Sequence, residues 1–227
     1  MRILALNGAS GRDGAGLGLL DGAPVLQRWI DGQGAAVGLP AALESALDEA
    51  GWTARSLDLI AVLVGPGSFT GLRASLALAH GLALGGGAEL IGVTVGEAMA
   101  PALRDAANGA LAWCVSQARR DRVFIEAIDS TGGVAAPFAC MLDALPAVEG
   151  PLLVAGDVGA LVATLLRARG DAVALGATRP DVAAIAAAAL RRRAGGLAPL
   201  AAQPLYVDAP EARLPVARLP AVGVPAR

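Results

Sequence analysis

Lysine is missing from this sequence: all eighteen basic residues among its 227 are arginine. That absence excludes a Walker-type phosphate lysine, a Schiff-base lysine and a Ser-Lys hydrolase dyad together. Histidine is almost missing as well, with His80 alone, and cysteine occurs only as Cys114 and Cys140. A zinc site built from several His and Cys ligands is therefore out of reach, and any serine or cysteine triad has to use His80 as its base. A concentrated basic face is also lacking. With a net charge of -2 and a pI near 5.4, the chain is not expected to grip nucleic acid by its own electrostatics, although a partner could bring it there. The longest uncharged run, Ala74 to Ala88, is fifteen residues, short of the roughly 20 that span a bilayer. The N-terminus turns polar at Asn7 and has no secretory pattern. The expected setting is cytoplasmic, away from any membrane.

What is present reads as alternating strands and helices. Ile3 to Leu6, Gly16 to Leu20 and a third run containing Val25, Leu26, Trp29 and Ile30 suggest an antiparallel meander turning at Asp21-Gly22. A helix follows, opened by Pro40, closed by Gly51 and carrying Leu39, Leu43 and Leu47 at four-residue spacing. Leu59 to Val64 has the continuous apolar character of a central strand. After a Gly-rich turn come a helix from about Thr70 to Leu84, a strand Leu90 to Val93, and a helix capped by Thr94 and Glu97 that ends near Arg104. The second half begins again with paired strands, Ala110 to Ser116 and Val123 to Ile128, then a strand Leu152 to Ala155 and helices over Val158 to Arg169 and Asp181 to Arg193. Two such halves look like a duplicated α/β unit without a residue-level repeat. The expected division is a first lobe over 1–106, a second over 107–209, and a tail over 210–227 whose evenly spaced prolines suit an extended or disordered segment.

The turn Gly65-Pro66-Gly67-Ser68-Phe69-Thr70-Gly71 joins a strand to a helix N-terminus. Its amides at Gly65, Gly67, Ser68, Thr70 and Gly71 could cradle an anion. Equally, the glycines could serve a tight turn capped by Ser68 or Thr70. The helix after it has a single formal charge, Arg73, and leucines at 72, 76, 78, 82 and 84. Its apolar positions run around the whole circumference, which predicts cover on both sides, from the second half of the chain or from another protein. Arg73, unfavourable for the helix dipole, has either a specific partner or a solvated place. His80 reads as packed at a helix interface; Ser68 with His80 as nucleophile and base lacks a supporting hydrolase turn. Arg119, Arg120 and Arg122 read as a hairpin tip, and Arg191, Arg192 and Arg193 as solvated cations at a helix C-terminus. No two carboxylates are close enough in sequence to nominate as acid and base.

The decapeptide Val64-Gly65-Pro66-Gly67-Ser68-Phe69-Thr70-Gly71-Leu72-Arg73, with His80-Gly81-Leu82-Ala83 and Leu90-Ile91-Gly92-Val93 after it, resembles the bacterial tRNA threonylcarbamoyladenosine biosynthesis proteins of the TsaB type. Weaker matches are Ile3 to Leu6, Ala118-Arg119-Arg120 leading into Val123-Phe124, and Pro204-Leu205-Tyr206-Val207. The resemblance implies an α/β fold of two tandem lobes of the actin, Hsp70 and sugar-kinase (RNase H-like) type. It also implies a degenerate, non-catalytic relative of the threonylcarbamoyl transferase, whose metal is held by paired histidines that this chain lacks. The family usually has Asp where Asn7 stands, and a His-containing segment where this chain has Val37-Gly38-Leu39-Pro40.

On that basis the expected role is a partner subunit, without cofactor or metal, for threonylcarbamoylation of adenosine 37 in tRNAs reading ANN codons. The expected partners are the transferase paralogue and a small ATPase, with tRNA reached only indirectly and a homodimer formed when the chain is alone. The interface is expected on Leu39, Leu43, Leu47, Leu72, Arg73, Leu76, His80 and Ala83, so that Leu76→Asp should abolish the complex. The alternative is a small metallopeptidase-like or nucleotide-binding enzyme of the same fold.

Overall fold

A computed structural model describes residues 1–119 and 121–207. The first sheet opens with the expected meander: β1 (Arg2–Asn7), β2 (Ala15–Asp21) and β3 (Ala23–Ile30), antiparallel in sequence. Parallel to β1 lies β4 (Leu59–Gly65), every residue of which is buried, as its unbroken apolar run requires. Beside it runs β5 (Glu89–Thr94), giving the order β3-β2-β1-β4-β5. The connecting helices are α1 (Leu39–Ala50), with Pro40 in its first turn and Gly51 in a left-handed C-cap, and α2 (Phe69–Gly86). After β5 comes α3 (Val95–Ala107). Both halves of its capping box form: Glu97 N–H donates to Thr94 Oγ1 at 3.1 Å and Thr94 N–H to Glu97 Oε2 at 2.8 Å. Such a cap is worth about 1 kcal/mol.

The second sheet repeats this plan. Its strands are β6 (Leu111–Gln117), β7 (Arg122–Ile128), β8 (Phe138–Met141), β9 (Leu152–Ala155) and β10 (Val173–Leu175). Their order, β8-β7-β6-β9-β10, and their mixture of antiparallel and parallel pairs reproduce the first sheet strand for strand. The duplication is thus present in topology although no residue repeat carries it. Helices α4 (Gly159–Arg169) and α5 (Val182–Arg193) answer α2 and α3. In the place of α1 the described residues hold only a short 3-10 turn, Leu142–Ala144. The edge strands β8 and β10 were not expected; they are short, and mostly exposed or half-buried.

Helices α1 and α2 cover one face of the first sheet, and α5 packs on the other, against β1, β2, β4 and β5. The last helix, read from sequence as part of the second half, therefore completes the core of the first. Val182, Ile185, Ala186 and Ala189 join Leu4, Leu6 and Val62 in one apolar cluster. Gly18 makes room for this contact, since a Cβ there would stand 2.6 Å from Val182 Cγ2. α3 lies beside α5 and leans on β6, β7 and β9, so the two helices fill the space between the sheets. The far face of the second sheet, Trp113, Val115, Ile125 and Val154, packs on Val162 and Leu166 of α4.

Of the arginines ending α5, Arg191 and Arg193 are exposed as expected, while Arg192 is drawn inward. Arg192 is buried and ion-pairs with Glu97, Arg191 donates to the Glu97 carbonyl at 2.8 Å, and Arg193 pairs with Glu89 at 2.8 Å. A guanidinium reaching across from α5 finds both the carboxylate that caps α3 and the exposed acidic start of β5, so the row fastens α5 in place. The proline-spaced tail, 210–227, lies outside the described residues.

Candidate functional site

The glycine-rich turn between β4 and α2 meets the loop that leaves β1. Ser68 N–H donates to the Ala9 carbonyl at 2.9 Å, and Ser68 Oγ accepts Gly71 N–H at 3.3 Å. A Cβ at Gly67 would come within 2.4 Å of the Ala9 oxygen, and one at Gly71 within 2.1 Å of the Gly8 oxygen. The glycines are thus accounted for by two backbones in contact, and two of the five candidate amides already serve protein acceptors. Gly65, with φ of +121°, is buried in the same turn, while Thr70 points outward. Asn7 is fully buried; its Oδ1 accepts Ala9 N–H at 3.0 Å and its Nδ2 donates to Ser10 Oγ at 3.1 Å. Where an aspartate would offer charge to a metal or phosphate, this amide ties its own loop.

The cleft between the sheets opens above this loop. Ser10, Val95, Ser116, Asp157 and Thr178 line a cavity of about 10 Å³, room for about one water molecule. Asp157 caps Gln117 N–H at 2.9 Å, and burial, with repulsion from Asp13, lifts its carboxyl to about 6 against that hydrogen bond. Deeper lies Glu126 on β7. It accepts Gly96 N–H at 2.6 Å with one oxygen, and its Oε1 is buried without a partner. Burial pushes this carboxyl up to about 8, while Thr94 and Gly96 pull it down. Neither carboxylate was nominated from sequence. For Glu126 the signal was there: it is the one charge inside the run Val123 to Ile128, in a strand flanked by neighbours on both sides.

The paired-histidine metal of the transferase does not fit these residues. The only histidine, His80, lies on the flank of α2 and places Nε2 2.6 Å from the Ala202 carbonyl. Among the described residues no three His, Cys, Asp or Glu side chains converge on a common point. His80 is also exposed, not packed in a helix interface as expected, and its hydrogen-bond partner is the Ala202 carbonyl, not Ser68. Cys114 is buried beside Met99, and burial pushes its thiol well up. At the β6–β7 tip Arg122 N–H donates to the Arg119 carbonyl at 3.2 Å; Arg120 lies outside the described residues.

The surface with unusual character is the outer side of α2. Leu72, Ser75, Leu76 and Ala79 face inward and are buried. Outward, at spacings of three and four, stand Phe69, Arg73, Ala77, His80, Gly81 and Leu84. Leu84 is 91% exposed and Phe69 55%, and Val37, in the adjoining 3-10 turn, is 78% exposed. The helix is therefore covered on one side only, and its open side carries a single formal charge. This corrects the interface expected from sequence. Leu39, Leu43, Leu47, Leu72 and Leu76 are buried in the chain's own core, where the sheet takes their apolar surface, and Ala83 is half-buried. Leu76→Asp would accordingly break the fold rather than report on a partner. Of the predicted set, Arg73 and His80 remain on the surface; Phe69, Ala77, Gly81 and Leu84 take the place of the leucines.

Comparison with known proteins agrees with this architecture. Residues 35–135 match the family model for the tRNA N6-adenosine threonylcarbamoyltransferase, TsaD. A tRNA N6-adenosine threonylcarbamoyltransferase of Cereibacter sphaeroides strain KD131 is 48% identical over 65 residues, 28% of this chain and 18% of that protein. Among solved structures, an uncharacterised Pseudomonas aeruginosa protein with similarity to peptidase YeaZ superposes with a TM-score of 0.71 at 22% identity, covering 91% of this chain and 99% of that one. YeaZ from the same organism gives 0.68 at 21%, covering 90% and 99%. Residues 35–135 are thus similar to TsaD, and the chain shares the fold of the YeaZ structures. That segment runs from the 3-10 turn before α1 through β7, and so contains all of α2 and Glu126. The two-sheet α/β architecture, one strand plan used twice, is the fold shared with these YeaZ structures.

Proposed function

We propose that the chain is a non-catalytic partner subunit of a tRNA threonylcarbamoyl transferase, required for modifying adenosine 37 in tRNAs that read ANN codons. It would act by docking the transferase paralogue along α2. The observation that carries this reading is the outer side of α2, where Phe69, Ala77, Gly81 and Leu84 are open to solvent with one charge among them. A helix of a monomer normally turns a polar side to water, and an apolar one marks an interface. The matched segment includes α1 and α2, so a transferase built on the same segment would present equivalent helices. Two related helix pairs can then close around a pseudo-two-fold axis, as in isologous dimers. Small residues at Ala77 and Gly81 suit close helix approach. The buried amide at Asn7 and the nearly filled cleft support a supporting rather than a chemical role. With a net charge of -2, tRNA would be held mainly by other subunits, and a small ATPase would complete the assembly.

The test is reconstitution. Purified transferase paralogue and small ATPase, with threonylcarbamoyl donor and an ANN-reading tRNA, should form modified adenosine only when this chain is added. Leu84→Asp should fold normally and fail to support the reaction. Full modification without this chain, or with that variant, contradicts the proposal.

A further inference from the structure

Near the N-terminal end of the open side of α2, three side chains from distant parts of the sequence form one column. The Arg73 guanidinium stands 3.7 Å over the Phe69 ring, and its Nη2 donates to Tyr206 Oη at 2.9 Å. Phe69 is 55% and Tyr206 60% exposed. Tyr206 belongs to an extended segment that crosses from the end of α5 to the end of β4. Arg192 Nε holds the Ala198 carbonyl at 2.7 Å, His80 Nε2 meets the Ala202 carbonyl at 2.6 Å, and Leu205 N–H donates to the Val64 carbonyl at 2.9 Å. The segment therefore brings Tyr206 to α2 through backbone bonds at several points, and the aromatic partner of Arg73 is placed without help from any other chain.

We infer that Phe69, Arg73 and Tyr206 form a clamp for a carboxylate on the helix that docks along α2, so that the C-terminal segment is part of the docking surface. This rests on the docking reading above and names the chemistry of its partner: an apolar helix bearing Asp or Glu opposite Arg73. Tyr206 takes one of five guanidinium donors, and the planar fork that remains is the group that binds a carboxylate bidentately. Phe69 and Tyr206 hold the exposed guanidinium in one orientation, and a docked helix would exclude water from it, which strengthens a charged hydrogen bond. Arginine and tyrosine flanked by apolar contacts are the residue types on which interface energy concentrates. A second copy of α2 does not supply the carboxylate, because no Asp or Glu occurs between Phe69 and Gly86. Charge complementarity thus disfavours pairing of α2 with α2 of a second copy.

Titration calorimetry of the full chain with the purified transferase paralogue, at low and moderate salt, tests this. Arg73→Gln should weaken binding by about tenfold or more and flatten its salt dependence. Arg73→Lys should recover only part of the affinity, because a point charge lacks the fork. Tyr206→Ala should weaken binding severalfold with an unchanged thermal midpoint, since the ring is mostly in solvent. If Arg73→Gln binds as wild type at both salt concentrations while Leu84→Asp fails to bind, the clamp is wrong and the docking face stands. Wild-type affinity in Leu84→Asp removes the docking face and the clamp with it. Loss of self-association alone in Arg73→Gln, with paralogue binding intact, assigns the clamp to a second copy and overturns the inference.

Discussion

Single residues decide how the cleft between the sheets behaves, and Glu126 is the clearest case. Its carboxyl sits at about 8 in the folded chain against an ordinary 4.5. A raised folded value means the proton is held more tightly when folded. The stabilisation is complete below the unfolded value and is lost as pH rises through the folded one. Asp157, lifted to about 6, has the same sign but finishes its change lower, and the Met1 amine, raised by Asp21, changes from about pH 8 upward, so Glu126 carries most of the change from pH 6 to 8. At 1.36 kcal/mol per pH unit, that interval carries roughly 3 kcal/mol. Glu126→Gln cannot ionise, so its urea stability should change far less from pH 6 to 8 than that of the wild type, which declines; parallel profiles would refute the assignment. Residue roles were only partly legible. Thr94 and Glu97 announced their cap because the signal is local. The use of Gly67 and Gly71 was not decidable from the turn alone, because the opposing surface, Gly8 and Ala9, lies some sixty residues away. Arg73 stood out as the lone charge of its helix, yet its partner, Tyr206, is 133 positions distant.

At the scale of elements, periodicity and breakers placed the helices and central strands, since each is set by its own residues. Strongly apolar elements such as β4 and α2 showed themselves in composition. The edge strands β8 and β10 did not, because short strands at a sheet margin have neither alternation nor an apolar run to mark them. The destination of α5 was also hidden. Its alanine-rich face fits either sheet by pattern, and only tertiary packing sends it to the first. The fastening that keeps it there is the buried Arg192–Glu97 pair, in which the same carboxylate caps α3. Arg192→Met should therefore cost about 1.5–3 kcal/mol, because it leaves the half-buried Glu97 carboxylate without its cation. Chemical denaturation gives the value directly. Arg192→Met with Glu97→Gln should recover part of the loss, whereas a single variant within 0.5 kcal/mol of wild type would show the pair to be idle.

The whole molecule is two copies of one sheet plan with α3 and α5 between them, and the second copy has lost the counterpart of α1. Exposed apolar helix surface occurs in both lobes, at Leu161 and Leu165 on α4 as well as on α2, but the most exposed side chain, Leu84, is on α2. From its unbroken circumference of apolar and small residues, α2 was expected to be covered on both sides, and the chain itself covers one. Which residues stay outside was not legible, because a helix apolar all round does not reveal which side its sheet takes. The sheet takes Leu72 and Leu76 and leaves Phe69, Ala77 and Leu84. Everything proposed here about partnership depends on that outer side being a docking face. Sedimentation velocity on an equimolar mixture of this chain and the transferase paralogue is the most direct measurement. The wild-type mixture should sediment as one heterodimer, and a mixture with folded Leu84→Asp as two separate species. A heterodimer of unchanged affinity with Leu84→Asp, or no complex with the wild type at micromolar concentration, contradicts the account.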